Sequence, residues 1–165
     1  MRKVVSNTGP LLHLQEAQLL SLLEQVGQLY IPKAVDLEMV QYDQDWRDHK
    51  PGWIVAATVS APHDTQATQW QRVGLLHPGE AEAIALTREL GADWFLTDDG
   101  AARVFAVSLG LEVHGSLGIV LWAAAVGHLS REEAESALNR LAQSSLWISA
   151  RVLAEAHAAL DQLFP

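Results

Sequence analysis

Apolar positions along this chain follow two rhythms. Short apolar runs bounded by turn residues alternate with stretches where leucine, valine and alanine recur every three or four residues, which predicts strands and helices in turn. Val4-Val5-Ser6-Asn7 predicts a short buried strand stopped by Thr8-Gly9-Pro10. Leu11, Leu12 and Leu14, then Leu19, Leu20, Leu22, Leu23 and Val26, predict two short helices ended by Gly27. Leu29-Tyr30-Ile31 is a second strand, and the Pro32 that cuts it suits the first turn of a following helix. Residues 41–52 are polar and read as loop, 53–59 as a third strand, and 60–76 as loop plus a helix. Pro78-Gly79-Glu80 opens a helix that runs to Leu90, and Trp94-Phe95-Leu96-Thr97 is a strand between Asp93 and Asp98-Asp99-Gly100. A helix over 101–109, a short strand over 111–113 and helical patterns over 116–126, 130–143 and 149–163 complete the chain. With no repeat and no linker, the pattern predicts one α/β domain over residues 1–165, its C-terminal helices (about 130–163) completing or extending it. Short apolar strands between helices imply a parallel sheet covered on both faces, with ligands beyond the carboxyl ends of its strands.

Composition narrows the chemistry. The 165 residues contain no cysteine, which excludes disulfides, thiolate metal sites and a cysteine nucleophile. The N-terminal residues lack a signal-peptide core and the apolar stretch over 117–126 is too short to cross a bilayer, so a cytoplasmic protein without membrane association is expected. A net charge of −9 argues against tight, patch-driven binding of duplex DNA. It suits a protein that clusters carboxylates around divalent cations, or one that meets a basic partner.

The strand ends carry Asn7 and the pair Asp98 and Asp99. At about 100° per residue, Glu38 falls inside the apolar arc defined by Ala34, Val35 and Leu37, while Asp36 points to the opposite side. On the helix opened by Pro78, Glu80 lies on the arc of Ala83, Ile84, Leu86 and Leu90, whereas Glu82 lies off it. An inward carboxylate is costly unless it is paired or binds a cation. Structural roles remain open for each: Glu80 as a partner of the helix dipole, Glu38 as half of an ion pair, and Asp98-Asp99-Gly100 as turn and capping chemistry.

Val4-Val5-Ser6-Asn7-Thr8-Gly9-Pro10-Leu11-Leu12-His13-Leu14, Ile31-Pro32-Lys33-Ala34-Val35-Asp36-Leu37-Glu38, Pro78-Gly79-Glu80-Ala81-Glu82-Ala83-Ile84-Ala85 and Phe95-Leu96-Thr97-Asp98-Asp99-Gly100-Ala101-Ala102-Arg103 resemble the successive signatures of PIN domains. The likeness covers roughly residues 3–150 and is to a prokaryotic PIN-like family of unknown function related to the VapC-type toxin ribonucleases. It implies a three-layer α/β/α domain with a central parallel sheet of four to five strands. It also implies Mg²⁺- or Mn²⁺-dependent cleavage of single-stranded RNA, with a basic antitoxin protein as partner. Carried over, Asn7, Glu38, Glu80 and one or both of Asp98 and Asp99 form the metal and catalytic site, while Ser6, Thr8 and Arg103 contact substrate. An in-line attack of activated water on a phosphodiester is the mechanism this implies. Asn7 departs from the family's aspartate: an amide oxygen ligates a hard cation but brings no charge and is a poor base. A catalytically weak protein- or RNA-binding module is therefore the alternative.

Elsewhere the signals are structural. The seven histidines show no zinc-ligand spacing and there is no P-loop. Trp53, Trp94, Trp122 and Trp147 are expected in the core, and Trp46 and Trp70 at a partner surface. The residues around 117–123 are apolar on nearly every side, which predicts deep burial or a homodimer interface.

Overall fold

The computed structural model describes residues 1–165. Its strands are β1 (Lys3–Ser6), β2 (Gln28–Pro32), β3 (Ile54–Ala57), β4 (Trp94–Leu96) and β5 (Val113–His114). They form one sheet in the order β3-β2-β1-β4-β5, and every neighbouring pair is parallel. The helices are α1 (Thr8–Glu16), α2 (Leu22–Val26), α3 (Lys33–Tyr42), α4 (Trp46–His49), α5 (His63–Arg72), α6 (Pro78–Leu90), α7 (Gly100–Ser108), α8 (Ser116–Ala125), α9 (Arg131–Gln143) and α10 (Ala150–Leu163). No helix is long and apolar enough to cross a membrane.

Alternation along the strands sorts the core into two layers. Val4, Leu29, Ile31, Trp94 and Leu96 face a cluster built with α1, α2, α3, α8, α9 and α10. Val5 and Phe95 face a second cluster built with α5, α6 and α7. The α/β/α sandwich expected from the sequence is thus the architecture observed. Strand order reverses between β1 and β4: the chain winds outward through β2 and β3, then crosses back to the other side of β1. At such a switch point the connections diverge and leave a crevice beyond the strand ends. Val4 pairs with Trp94, Val5 with Phe95 and Ser6 with Leu96, so Asn7 and Thr97 leave the sheet side by side at that crevice.

Several boundaries and faces differ from the sequence reading. Asn7 is the N-cap of α1 rather than a strand residue, and the last strand starts two residues later than expected. The polar stretch 41–52 holds the short α4. Trp46, expected at a partner surface, is fully buried (0% exposed) because its indole N–H donates to Asp36 Oδ1 at 2.8 Å. Trp70 is half-buried, edge-on to Phe105. Trp147, expected in the core, is 84% exposed. Leu37 is 55% exposed, since the buried arc of α3 is Val35 and Met39, one turn apart. The apolar α8 buries Ile119, Val120 and Ala123 in the same cluster as Ala137, Leu138 and Leu160 of α9 and α10, so much of its cover comes from within the chain.

Trp46 anchors the β2–β3 crossover, and truncating it leaves a large cavity. Trp46→Ala is expected to cost about 3–5 kcal/mol in urea unfolding. Trp46→Phe, which mainly loses the bond to Asp36, should cost about 1 kcal/mol.

Candidate active site

The crevice is a cavity of about 540 Å³ whose lining includes Asn7, Thr8, His13, Glu38, Glu80 and Asp99. Asp98 lines it as well, and the remaining wall comes from Gly9, Gln41, Tyr42, His77 and Pro78. Topology brings these residues together: Asn7 and Thr8 follow β1, Asp98 and Asp99 follow β4, and Glu38 and Glu80 come from α3 and the first turn of α6.

Asn7 is 4% exposed, and its Nδ2 donates to Thr97 Oγ1 at 2.7 Å. Its Oδ1 is buried without a hydrogen-bond partner. An unsatisfied buried acceptor costs about 1–3 kcal/mol, so this atom is poised to accept a donor or ligate a cation. Thr97 Oγ1 also accepts from the Asp99 N–H at 3.1 Å, tying the two strand ends together.

Glu38 is held from two sides. Thr8 Oγ1 donates to its Oε2, and the Gly79 N–H donates to its Oε1 at 3.1 Å. A Cβ at residue 79 would lie 2.5 Å from Glu38 Oε1, so glycine permits this approach of α6 to α3. Glu80 sits at N3 of α6 and accepts from the His77 N–H at 3.0 Å, half of a capping box. Burial pushes its carboxyl above the usual range; the His77 N–H opposes this, and the adjacent Asp99 charge adds to it. Asp99 caps α7 by accepting from the Ala102 N–H at 2.8 Å through Oδ2. No backbone N–H or hydroxyl reaches the second carboxylate oxygen of Glu80 or of Asp99, and a hydrogen bond to Asp99 favours the protonated Glu80 carboxyl. Glu82, placed off the inward arc by its helical angle, is half-buried. Burial pushes its carboxyl up, the Ala34 N–H opposes the rise and the Glu38 charge reinforces it.

Asp98 is fastened differently. Its Oδ1 accepts from the Ser116 N–H at 2.7 Å, and its Oδ2 meets Ser116 Oγ at 2.6 Å and His13 Nδ1 at 2.7 Å. A Cβ at Gly115 would lie 2.9 Å from Asp98 Oδ1, so the loop before α8 can close over the carboxylate only as glycine. The Asp98 carboxylate thus links the start of α8 to the His13 ring on the cavity wall. Sequence reasoning missed this trio. Its members lie 85 and 18 residues apart, and no local spacing marks them.

Of the substrate candidates, Thr8 reaches the cavity, whereas Ser6 is fully buried and donates to the Asn7 carbonyl at 2.9 Å. Arg103 is exposed and forms no ion pair; it lines a neighbouring groove that shares Asp98 with the cavity. The carboxylates stand around the cavity rather than on one point, and no three His, Asp or Glu side chains are in ion-binding geometry. The donors nevertheless suit a hard divalent cation: all are oxygens, one amide oxygen is buried and unpaired, and two neighbouring carboxylates each have an oxygen that no backbone N–H or hydroxyl reaches.

A parallel α/β sandwich with oxygen donors at its switch point is the build of a PIN domain. A family model described as DUF3368, a PIN domain, matches residues 3–162, and the chain belongs to this family. No curated protein matches the chain.

An acid raised in the folded state holds more protons folded than unfolded from its ordinary value of 4.5 up to its raised one. Stability therefore falls as pH climbs through that interval and stays lower above it. Glu80→Gln keeps the cap acceptor and removes the charge. In chelator at pH 7 it should raise the melting temperature by on the order of 2 °C and shrink the loss of stability above pH 4.5.

Proposed function

We propose that this protein is a divalent-metal-dependent endoribonuclease acting on single-stranded RNA. Support comes from membership of a PIN-domain family, whose fold is a nuclease fold, and from one observation above others: the buried, unpaired Oδ1 of Asn7 in a cavity walled by Glu38, Glu80 and Asp99. Asn7, Glu38, Glu80 and Asp99 are the residues that would hold Mg²⁺ or Mn²⁺, with Asp98 behind them. A bound cation polarises a phosphoryl group and makes water more acidic. The chain itself does the rest. Asn7 Nδ2 is committed to Thr97, which directs its amide oxygen to the incoming group. Thr8 and Gly79 fix Glu38, the capping bonds fix Glu80 and Asp99, and Asp98 fixes His13. The net charge of −9 and the absence of a basic stripe favour a flexible single strand over a duplex. The likeness to VapC-type toxins supports a toxin role held in check by a basic antitoxin.

Incubating single-stranded RNA with the protein and Mn²⁺ or Mg²⁺ should give cleavage that a chelator abolishes. Asp99→Asn should reduce the rate by at least 100-fold, and Asn7→Asp should raise it, since it adds a fourth negative charge to the donor set. Cleavage that survives the chelator and Asp99→Asn would refute the assignment.

A catalytically weak binding module is the second reading, favoured by the neutral Asn7. Under that reading RNA binds but stays intact with either metal, and Asn7→Asp leaves it intact.

A further inference from the structure

A second groove of about 390 Å³ runs from the far side of Asp98, within the size range of nucleotide-scale sites of about 300–1,000 Å³. Its lining includes Arg103 and Gly115, where α8 begins, and Leu146, Trp147, Ile148 and Val152, from the α9–α10 connection and α10. The two groups differ in chemistry. Arg103 makes no ion pair with any carboxylate, and a Cβ on Gly115 would come within 3.1 Å of its guanidinium nitrogen, so the cation lies against the start of α8. The first turn of α8 has no acidic residue. The Asp98 charge nearby is already met by Ser116 and His13. Arg103 is thus a cation outside any ion pair, in a chain of net charge −9. In the second group Leu146 and Ile148 are partly buried while Trp147, between them in sequence, is 84% exposed. An indole held out on a short connection whose neighbours are anchored offers a flat apolar face.

Resting on the single-strand ribonuclease reading, we infer that this groove binds one nucleotide of the RNA flanking the cut, its phosphate at Arg103 and its base stacked on Trp147. Two features commit the groove to this occupant: its continuity with the catalytic cavity through Asp98, and the pairing of a free cation with an exposed aromatic face. Stacking accepts any base, so the site holds the strand in register without reading its sequence. Arg103 and Trp147 are binding residues here, and neither touches the reacting atoms.

The test measures binding of a short single-stranded RNA in chelator by fluorescence anisotropy, so that no turnover is needed. Trp147→Ala should weaken binding on the order of 10-fold, the loss expected for one stacked base, and Trp147→Phe should restore most of it. Arg103→Ala should lower the salt dependence of log K by roughly 0.7, the contribution of one phosphate contact on a single strand. An oligonucleotide series with one abasic position moved along the strand should contain a single position at which Trp147→Ala no longer matters. RNA bound equally well by the natural protein and Trp147→Ala overturns the groove assignment and leaves the ribonuclease reading standing. No RNA binding by the natural protein in chelator also overturns the groove assignment, and the metal-dependent cleavage assay then decides the ribonuclease reading separately. A concentration-dependent dimer lost in Trp147→Ala, with RNA binding unchanged, gives the groove to a second copy of the chain and likewise overturns the proposal.

Discussion

Backbone N–H groups at helix starts hold the carboxylates of this site, and the arrangement of the crevice depends on that contact. In a parallel α/β sheet the helices begin where strands end, so their unsatisfied N–H groups and positive dipole ends gather at the carboxyl edge. Here α6 gives Gly79 N–H to Glu38, and the residue before it gives His77 N–H to Glu80. Helix α7 gives Ala102 N–H to Asp99, and α8 gives Ser116 N–H to Asp98. Each acid therefore takes part in keeping a helix end satisfied. These donors offset part of the repulsion between neighbouring carboxylates, while burial and the Asp99 charge still raise the Glu80 carboxyl.

The same contacts divide the acids by role. Glu80 and Asp99 each spend one oxygen on a cap and keep one for the cavity, so they remain chemically available. Both oxygens of Glu38 and both of Asp98 meet partners, and those of Asp98 link α1, through His13, to α8, through Ser116. Glycine at 79 and 115 is what allows the backbone to come so close to Glu38 and Asp98. A larger residue at either position would push an acid away from its helix end, so sequence freedom at the site is narrower than its four or five acidic and amide positions suggest.

Much of this was legible from the chain. Strand ends and turn residues located Asn7, Asp98 and Asp99, and helical spacing turned Glu80 inward, because both signals are local and periodic. Glu38 was placed correctly for an incomplete reason. Leu37 does not belong to the buried arc of α3; the Gly79 N–H from another helix holds the carboxylate in place. Trp46 defeated sequence reasoning because its neighbours along the chain are polar while its indole partner, Asp36, lies one helix earlier. Trp147 failed in the opposite sense: apolar neighbours on both sides are anchored, and the indole between them is not. The Asp98–His13–Ser116 brace is tertiary throughout and left no trace in spacing.

The central claim is that Asn7 Oδ1, Glu38, Glu80 and Asp99 together make a seat for a divalent cation. A crystal grown with Mn²⁺ and measured for its anomalous signal tests this most directly. The account predicts one strong peak in the cavity, within about 2.0–2.4 Å of the Asn7 amide oxygen and of at least two of the three carboxylates, the range for hard cations on oxygen ligands. A cavity holding only water, with Asn7 Oδ1 bonded to it and manganese bound elsewhere on the acidic surface, would contradict the claim.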